Sequence, residues 1–320
     1  MDGPTVRLSA ERVVQAYEVM DPIFRDSPQY LSESLSSLLG LRLWVKNETF
    51  NPLKSFKGRG ADFYVSQLPS AQALVCASAG NFGQALAYAA RKRGVPLTVY
   101  AARTANPAKV AAMRGFGATV LLHGDDFDAA KVEARRVADE AGSLFVEDGR
   151  EAAITEGAGT IGLELLRAGT HFDTIFLPLG NGALINGVAL WTKTHAPDTK
   201  IIGVCAEGAP AMKLSFESHA VHATDSVATI ADGIAVRVPV PEALGDMQGL
   251  VDNVVTVTDA QLMQAMRLAL KHTGVLLEPA GAAGLAGIIA CQEKWHSDAV
   301  ATVFCGANIH SSLVSKVLAG

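Results

Sequence analysis

The sequence predicts an α/β protein built on mostly parallel sheets, and three observations carry that expectation. Short apolar runs alternate with longer segments of helical spacing from about residue 41 onward. Buried strands alternating with helices imply a parallel sheet with helices on both faces. The composition suits a large core: 320 residues, 49% hydrophobic, 18% charged and 30 glycines, which excludes a disordered chain.

The strand-like runs are Leu41–Val45, Ala73–Cys76, Leu97–Tyr100, Thr119–Leu122, Thr174–Pro178, Ile201–Cys205, Val254–Val257 and Ala299–Cys305. Helical spacing marks Gln84–Arg93, Pro107–Gly115, Ala129–Ala141, Leu184–Lys193 and Asp259–His272. Several of these helices begin at Ser, Thr, Asp, Asn or Gly, as N-caps do. One strand–helix series runs from Ala73 to about Glu147, and a second from about Thr155 onward. Two open α/β domains with a cleft between them are therefore expected. Residues 71–147 form the small one, and 1–70 with 148–320 the large one, on which the N-terminal helices pack.

Charge and cysteine usage narrow the function. The net charge of −5 offers no basic surface, so neither nucleic acid nor an anionic membrane is an expected partner. Cys76, Cys205, Cys291 and Cys305 stand far apart without a CxxC pair, as in a reduced cytoplasmic protein. The N-terminus has no apolar signal region, and the apolar stretch Ala280–Cys291 is too short to span a bilayer. No HExxH or GxSxG motif is present, which leaves zinc-protease and hydrolase-triad chemistry without support. Asp125, Asp126 and Asp128 read as a solvated acidic helix start.

Ligands of open α/β sheets sit at the carboxyl ends of strands, in turns that lead into helices. Four such turns stand out. In Asn51-Pro-Leu-Lys-Ser-Phe-Lys57-Gly-Arg-Gly-Ala61, Lys57 follows an aromatic at a loop-to-helix junction. It is either an amine tuned for Schiff-base chemistry or a solvated helix-start lysine. Ser78-Ala-Gly-Asn-Phe-Gly-Gln84 follows a strand with small residues, either an anion site at a helix N-terminus or an ordinary cap. Pro178-Leu-Gly-Asn-Gly-Ala-Leu184 is a Gly-rich strand-to-helix turn suited to phosphate, although it lacks the GK[ST] of a P-loop and the full GxGxxG spacing. Cys305, at the end of the last strand, is a nucleophile, a hydrogen-bond partner or a buried filler.

Each turn is ambiguous, but their order is not. Ser-Phe-Lys-x-Arg-Gly-Ala, Ser-x-Gly-Asn, Pro-x-Gly-x-Gly-x-Leu, Ala-Asp-Gly, Glu278-Pro-Ala-Gly-Ala282 and a terminal x-Gly-x-Asn follow one another over residues 10 to 318. This series resembles the serine/threonine dehydratase and serine racemase family of pyridoxal-phosphate enzymes, which has the tryptophan-synthase β-like fold (fold type II). The resemblance implies pyridoxal 5'-phosphate in the cleft, with Lys57 forming the Schiff base and later moving the α-proton. Phe56 matches the aromatic against the pyridine ring, and Asn81 the partner of the ring's 3′-oxygen. Ser78, Ala79, Gly80, Asn81 and Phe82 fall on the loop that binds the substrate carboxylate. Gly180, Asn181, Gly182, Ala183 and Leu184 fall on the phosphate loop. Cys305 takes the place of a neutral residue beside the pyridine nitrogen, which favours β-elimination over transamination.

Four departures qualify the match. The usual run of four glycines reads Gly-Asn-Gly-Ala, which retains backbone donors. A customary histidine is Phe82, which changes the polarity of the substrate pocket. Ala79 stands where racemases carry a second serine, which argues against racemisation. The cation ligands of some relatives fall on Cys205 and Ala211, so no metal site is expected; a register shifted by two would bring Glu207 and Lys213 there instead. With the chain ending at Gly320, no C-terminal regulatory domain is expected.

The resulting expectation is a cytoplasmic β-eliminating ammonia-lyase, a homodimer by resemblance. It converts a β-hydroxy-α-amino acid such as L-threonine or L-serine to a 2-oxo acid and ammonia. A bulkier 3-hydroxy amino acid, 2,3-diaminopropionate, an amino-acid racemase activity, a dinucleotide-binding oxidoreductase and a catalytically silent relative are the alternatives.

Overall fold

The computed structural model describes residues 7–69, 72–167, 169–292 and 298–319. The strands are β1 (Gln29–Leu31), β2 (Arg42–Asn47), β3 (Leu74–Ala77), β4 (Leu97–Ala101), β5 (Thr119–Leu122), β6 (Leu144–Val146), β7 (Thr174–Pro178), β8 (Lys200–Ala206), β9 (Asn253–Val257) and β10 (Ala299–Phe304). The first seven helices are α1 (Ala10–Val19), α2 (Glu33–Leu39), α3 (Lys57–Ser66), α4 (Asn81–Arg93), α5 (Pro107–Gly115), α6 (Phe127–Ala141) and α7 (Ala152–Arg167). The remainder are α8 (Ala183–His195), α9 (Ala211–Ser218), α10 (Pro241–Met247), α11 (Asp259–Thr273), α12 (Pro279–Cys291) and α13 (Ser311–Leu318).

The strands form two sheets. One has six strands in the order β1-β2-β10-β7-β8-β9, the other four in the order β5-β4-β3-β6. Every pairing is parallel except β1 against β2. Strands β7 and β10 are buried along their whole length, which is why they read as unbroken apolar runs. Strands β1 and β6 have only three residues each, too short for any periodic signal. Helix α12 is buried nearly all round, so its sequence showed an apolar stretch without a polar face. Among the described residues no helix is long and apolar enough to cross a membrane.

Two expected helix starts move. Helix α4 begins at Asn81, three residues before Gln84, because Ser78 Oγ accepts the backbone N–H groups of Gly80 and Gly83. Helix α6 begins at Phe127 because the Asp126 side chain accepts the N–H of Ala129.

Glycines set the spacing of the helices that carry the cleft. A Cβ on Gly60 would sit 2.3 Å from the Ile154 carbonyl oxygen, so α3 lies directly on α7. One on Gly187 would sit 2.2 Å from the Thr155 oxygen, which brings α8 equally close to α7. Arg59 adds a buried polar tie: its guanidinium contacts Glu48 at 2.7 Å and Glu164 at 2.6 Å, and Lys46 meets Glu164 at 2.6 Å. Helix α3, which begins with Lys57, is thus fixed to β2 and α7 by packing and by charge.

Candidate active site

A cavity of about 570 Å³ opens at the carboxyl ends of the strands, where Ala77, Val146, Pro178 and Cys305 face it. The residues matched in the sequence to cofactor and substrate contacts line it: Phe56 and Lys57, the loop Ser78–Phe82, the turn Gly180–Leu184, and Cys305.

Lys57 opens α3 with Phe56 as its N-cap residue. Its Nζ lies 4.8 Å from the centre of the Phe56 ring and 2.5 Å from Asp148 Oδ2. The solvated reading of this lysine therefore fails: it is mostly buried and carries an ion pair. Opposite the loop 78–82, α8 starts after Gly182 without a side-chain cap. Gly182 has φ +92, a left-handed backbone that favours glycine, and turns the first N–H groups of the helix outward. Gly180 packs on the turn that follows Ala231, where a Cβ would meet the Gly233 oxygen at 2.7 Å.

Asn81 has both ends of its amide engaged. Its Nδ2 donates to Glu278 Oε1 at 2.6 Å, and its Oδ1 accepts from Asn308 at 2.8 Å. Phe82 gives the cavity an apolar wall and packs with the core of the four-stranded sheet. Cys305 Sγ donates weakly to the Ala280 oxygen at 3.7 Å, and burial pushes its thiol well above the ordinary range, keeping it neutral.

Several cavity residues escaped the sequence reading. Lys109 is buried beside Gly80 and pairs with Asp232, which stands in the Ala-Asp-Gly motif. Arg237 pairs with Asp128 across the cavity rim, so the segment read as solvated and acidic also lines the site. Glu278 is fully buried with Oε2 unpartnered, and burial raises it from 4.5 to about 7, against the pull of Lys109.

Glu278 therefore links folding to pH. The folded protein holds this proton more tightly, so its contribution is complete below pH 4.5 and is lost as the pH rises towards about 7. Glu278→Gln is expected to remove that dependence. The variant should gain up to roughly 3 kcal/mol on the native protein across this window, at 1.36 kcal/mol per pKa unit. Urea unfolding at both ends of the window measures it, and parallel wild-type and variant responses would remove Glu278 from the role.

The residues fit pyridoxal phosphate. A primary amine, an aromatic ring, an uncapped helix N-terminus and a neutral thiol surround one cavity, and the buried atoms Asp148 Oδ1 and Glu278 Oε2 have no partner there. Among the described residues no group of three or more His, Cys, Asp or Glu is placed to hold a metal. Cys205 instead directs its Sγ to the Leu179 oxygen, and Ala211 begins α9.

Comparison with known proteins agrees with this geometry. Residues 20–306 match the family described as pyridoxal-phosphate dependent enzyme. The chain is 31% identical over 314 residues to an L-threonine ammonia-lyase of Thermotoga maritima, covering 97% of this chain and 78% of that one. It is 36% identical over 291 residues to a chloroplastic biosynthetic threonine dehydratase of Arabidopsis thaliana, covering 89% of this chain but only 49% of that protein. The processed form of threonine deaminase isoform 2 from Solanum lycopersicum superposes with a TM-score of 0.89 at 31% identity, over 99% of this chain and 90% of that one.

Proposed function

The chain belongs to the pyridoxal-phosphate dependent enzyme family, and from that membership we propose that it is a β-eliminating ammonia-lyase acting on a small β-hydroxy-α-amino acid. The observation that carries the proposal is Lys57 Nζ inside a cavity that also holds the loop 78–82 and the uncapped start of α8. Threonine is the leading substrate, since similar proteins are named for its deamination.

The roles follow from position. Lys57 would hold the cofactor through its carbonyl carbon, and Phe56 would pack beside the ring. The N–H groups at the start of α8, with Gly180 and Asn181, would take the phosphate. Bound pyridoxal phosphate supplies an electron sink for the pair left at Cα when the α-proton is removed. The Lys57 amine, free once the substrate's amine has taken its place on the cofactor, would accept that proton on Nζ. Backbone N–H groups of Ala79, Asn81 and Phe82 and the Ser78 hydroxyl orient the substrate carboxylate, with the Lys109 ammonium adding positive charge beside Gly80. Ala79 brings no hydroxyl to the opposite face, which favours loss of the β-hydroxyl over racemisation. Neutral Cys305 cannot hold the ring nitrogen protonated as a carboxylate would. The released enamine hydrolyses to a 2-oxo acid and ammonia.

Residues 71–147 form the smaller unit around the substrate loop in this reading, and 1–70 with 148–320 the cofactor unit. The reading extends to a cytoplasmic homodimer. A panel of L-threonine, L-serine, bulkier 3-hydroxy amino acids, 2,3-diaminopropionate and their D-forms, scored for 2-oxo acid and ammonia, tests the assignment. Release from L-threonine or L-serine at a family-like rate is expected. Turnover confined to 2,3-diaminopropionate, or D-serine formed from L-serine, would overturn it.

A further inference from the structure

Resting on the assignment of Lys57 as base, we propose that Asp148 is a positioning residue that commits the reaction to elimination by holding the proton on Lys57. Asp148 lies in the turn between β6 and α7, and that turn is built to keep it in place. The Arg150 N–H donates to the Glu147 oxygen at 3.1 Å, and the Arg7 guanidinium donates to the carbonyls of Gly149 and Arg150. Lys131 and Arg135 hold the Glu147 carboxylate. Gly149 has φ +84, and a Cβ there would lie 2.0 Å from the Asn181 oxygen, so the turn rests directly on the Gly-rich loop.

Three other acids of the cavity wall have partners of their own. Asp232 pairs with Lys109, Asp128 with Arg237, and Glu278 with Asn81. Asp148 has Lys57, with Nζ 2.5 Å from Oδ2, while Oδ1 is buried without a partner.

The consequence is chemical. When the α-proton is removed, the Cα–H bond breaks, its electron pair stays with the substrate, and the proton bonds to the neutral Nζ. The new ammonium then sits against a carboxylate in a charge-assisted hydrogen bond. Returning the proton to Cα breaks that pair, whereas in elimination the electron pair forms a Cα–Cβ double bond, the β-carbon–oxygen bond breaks and the hydroxyl leaves as water with a proton from solvent, so the ion pair stays intact. Asp148 thus biases the partition after proton removal towards elimination.

The test is run in deuterium oxide to partial conversion, comparing deuterium at Cα of the recovered amino acid with the 2-oxo acid formed. The wild-type enzyme is expected to return little label. Asp148→Asn should raise the ratio of exchange to elimination by roughly tenfold or more, the scale of losing one charged hydrogen bond. Asp148→Glu, which displaces the carboxylate by one methylene, should fall between the two and gives the same reading if the Asn variant does not accumulate. A second readout is independent of turnover: reductive methylation of the full chain before cofactor is added, mapped by peptide mass. Lys57 should be labelled several-fold faster in Asp148→Asn, because a hydrogen-bonded ammonium reacts slowly. An unchanged partition ratio and unchanged Lys57 labelling would overturn the role of Asp148. Lys57→Ala separates the two levels: exchange persisting there would remove Lys57 as base, whereas its loss would leave that assignment standing whatever Asp148 does.

Discussion

Lys57→Ala is expected to lower 2-oxo acid formation by at least about 10³-fold, the upper part of the range for losing a general base. The loss is compounded because the same amine attaches the cofactor in the proposed reaction. The fold should survive, since the Lys57 side chain lines a cavity and its ion pair with Asp148 is at the cavity wall. Circular dichroism and the urea midpoint should therefore stay near wild type while steady-state turnover collapses. A small primary amine added to the variant should restore part of the proton transfer. Turnover at the wild-type rate would take Lys57 out of the mechanism.

Arg59→Met is expected to cost roughly 3–5 kcal/mol of stability, the range for removing one partner of a buried ion pair. Arg59 is fully buried, and its loss strands Glu48 and Glu164 beside each other, with Lys46 as the remaining cation on Glu164. The guanidinium and Lys46 overcome the cost of burial and hold Glu164 down at about 2, against an ordinary 4.5. A lowered carboxylate contributes stability above pH 4.5 and loses it as the pH falls towards about 2. The deficit of the variant should therefore be full at neutral pH and shrink on acidification, as the stranded carboxylates take up protons. Urea unfolding across that range measures it. A deficit independent of pH would indicate lost packing rather than lost charge pairing. Because Arg59 lies in the first turn of α3, two residues after Lys57, the variant should also loosen the position of Lys57 and depress turnover before the fold melts.

The fold was legible where burial left a local trace. Strands covered on both faces, such as β7 and β10, show as unbroken apolar runs, and helices such as α6 and α11 bury one stripe and keep a polar face. β1 and β6 left no trace at three residues each, and α12 lost its periodicity by being buried nearly all round. At the site, the motifs that bend the chain were readable because Gly, Ser and Asn are the residues that turn it: Ser78–Phe82 and Gly180–Leu184 both reach the cavity. The charged partners were not readable. Asp148 lies 91 residues from Lys57, Lys109 lies 123 from Asp232, and Glu278 lies 197 from Asn81. Nothing near any of them in the chain marks the partner, since the fold alone brings the pairs together. Their environments are also tertiary: Glu278 is buried by helix α12 and the turn after β10, where a Cβ on Gly306 would meet its Oε1 at 2.1 Å.

The most direct measurement is borohydride reduction of the purified holoenzyme followed by peptide mapping of the fixed cofactor. Lys57 as cofactor anchor predicts a visible band of the lysine-bound cofactor that shifts on adding L-threonine or L-serine, and one reduced cofactor per chain on the peptide containing Lys57. Cofactor found on Lys109 or Lys131, the other lysines that line the cavity, or no cofactor fixed at all, would contradict it.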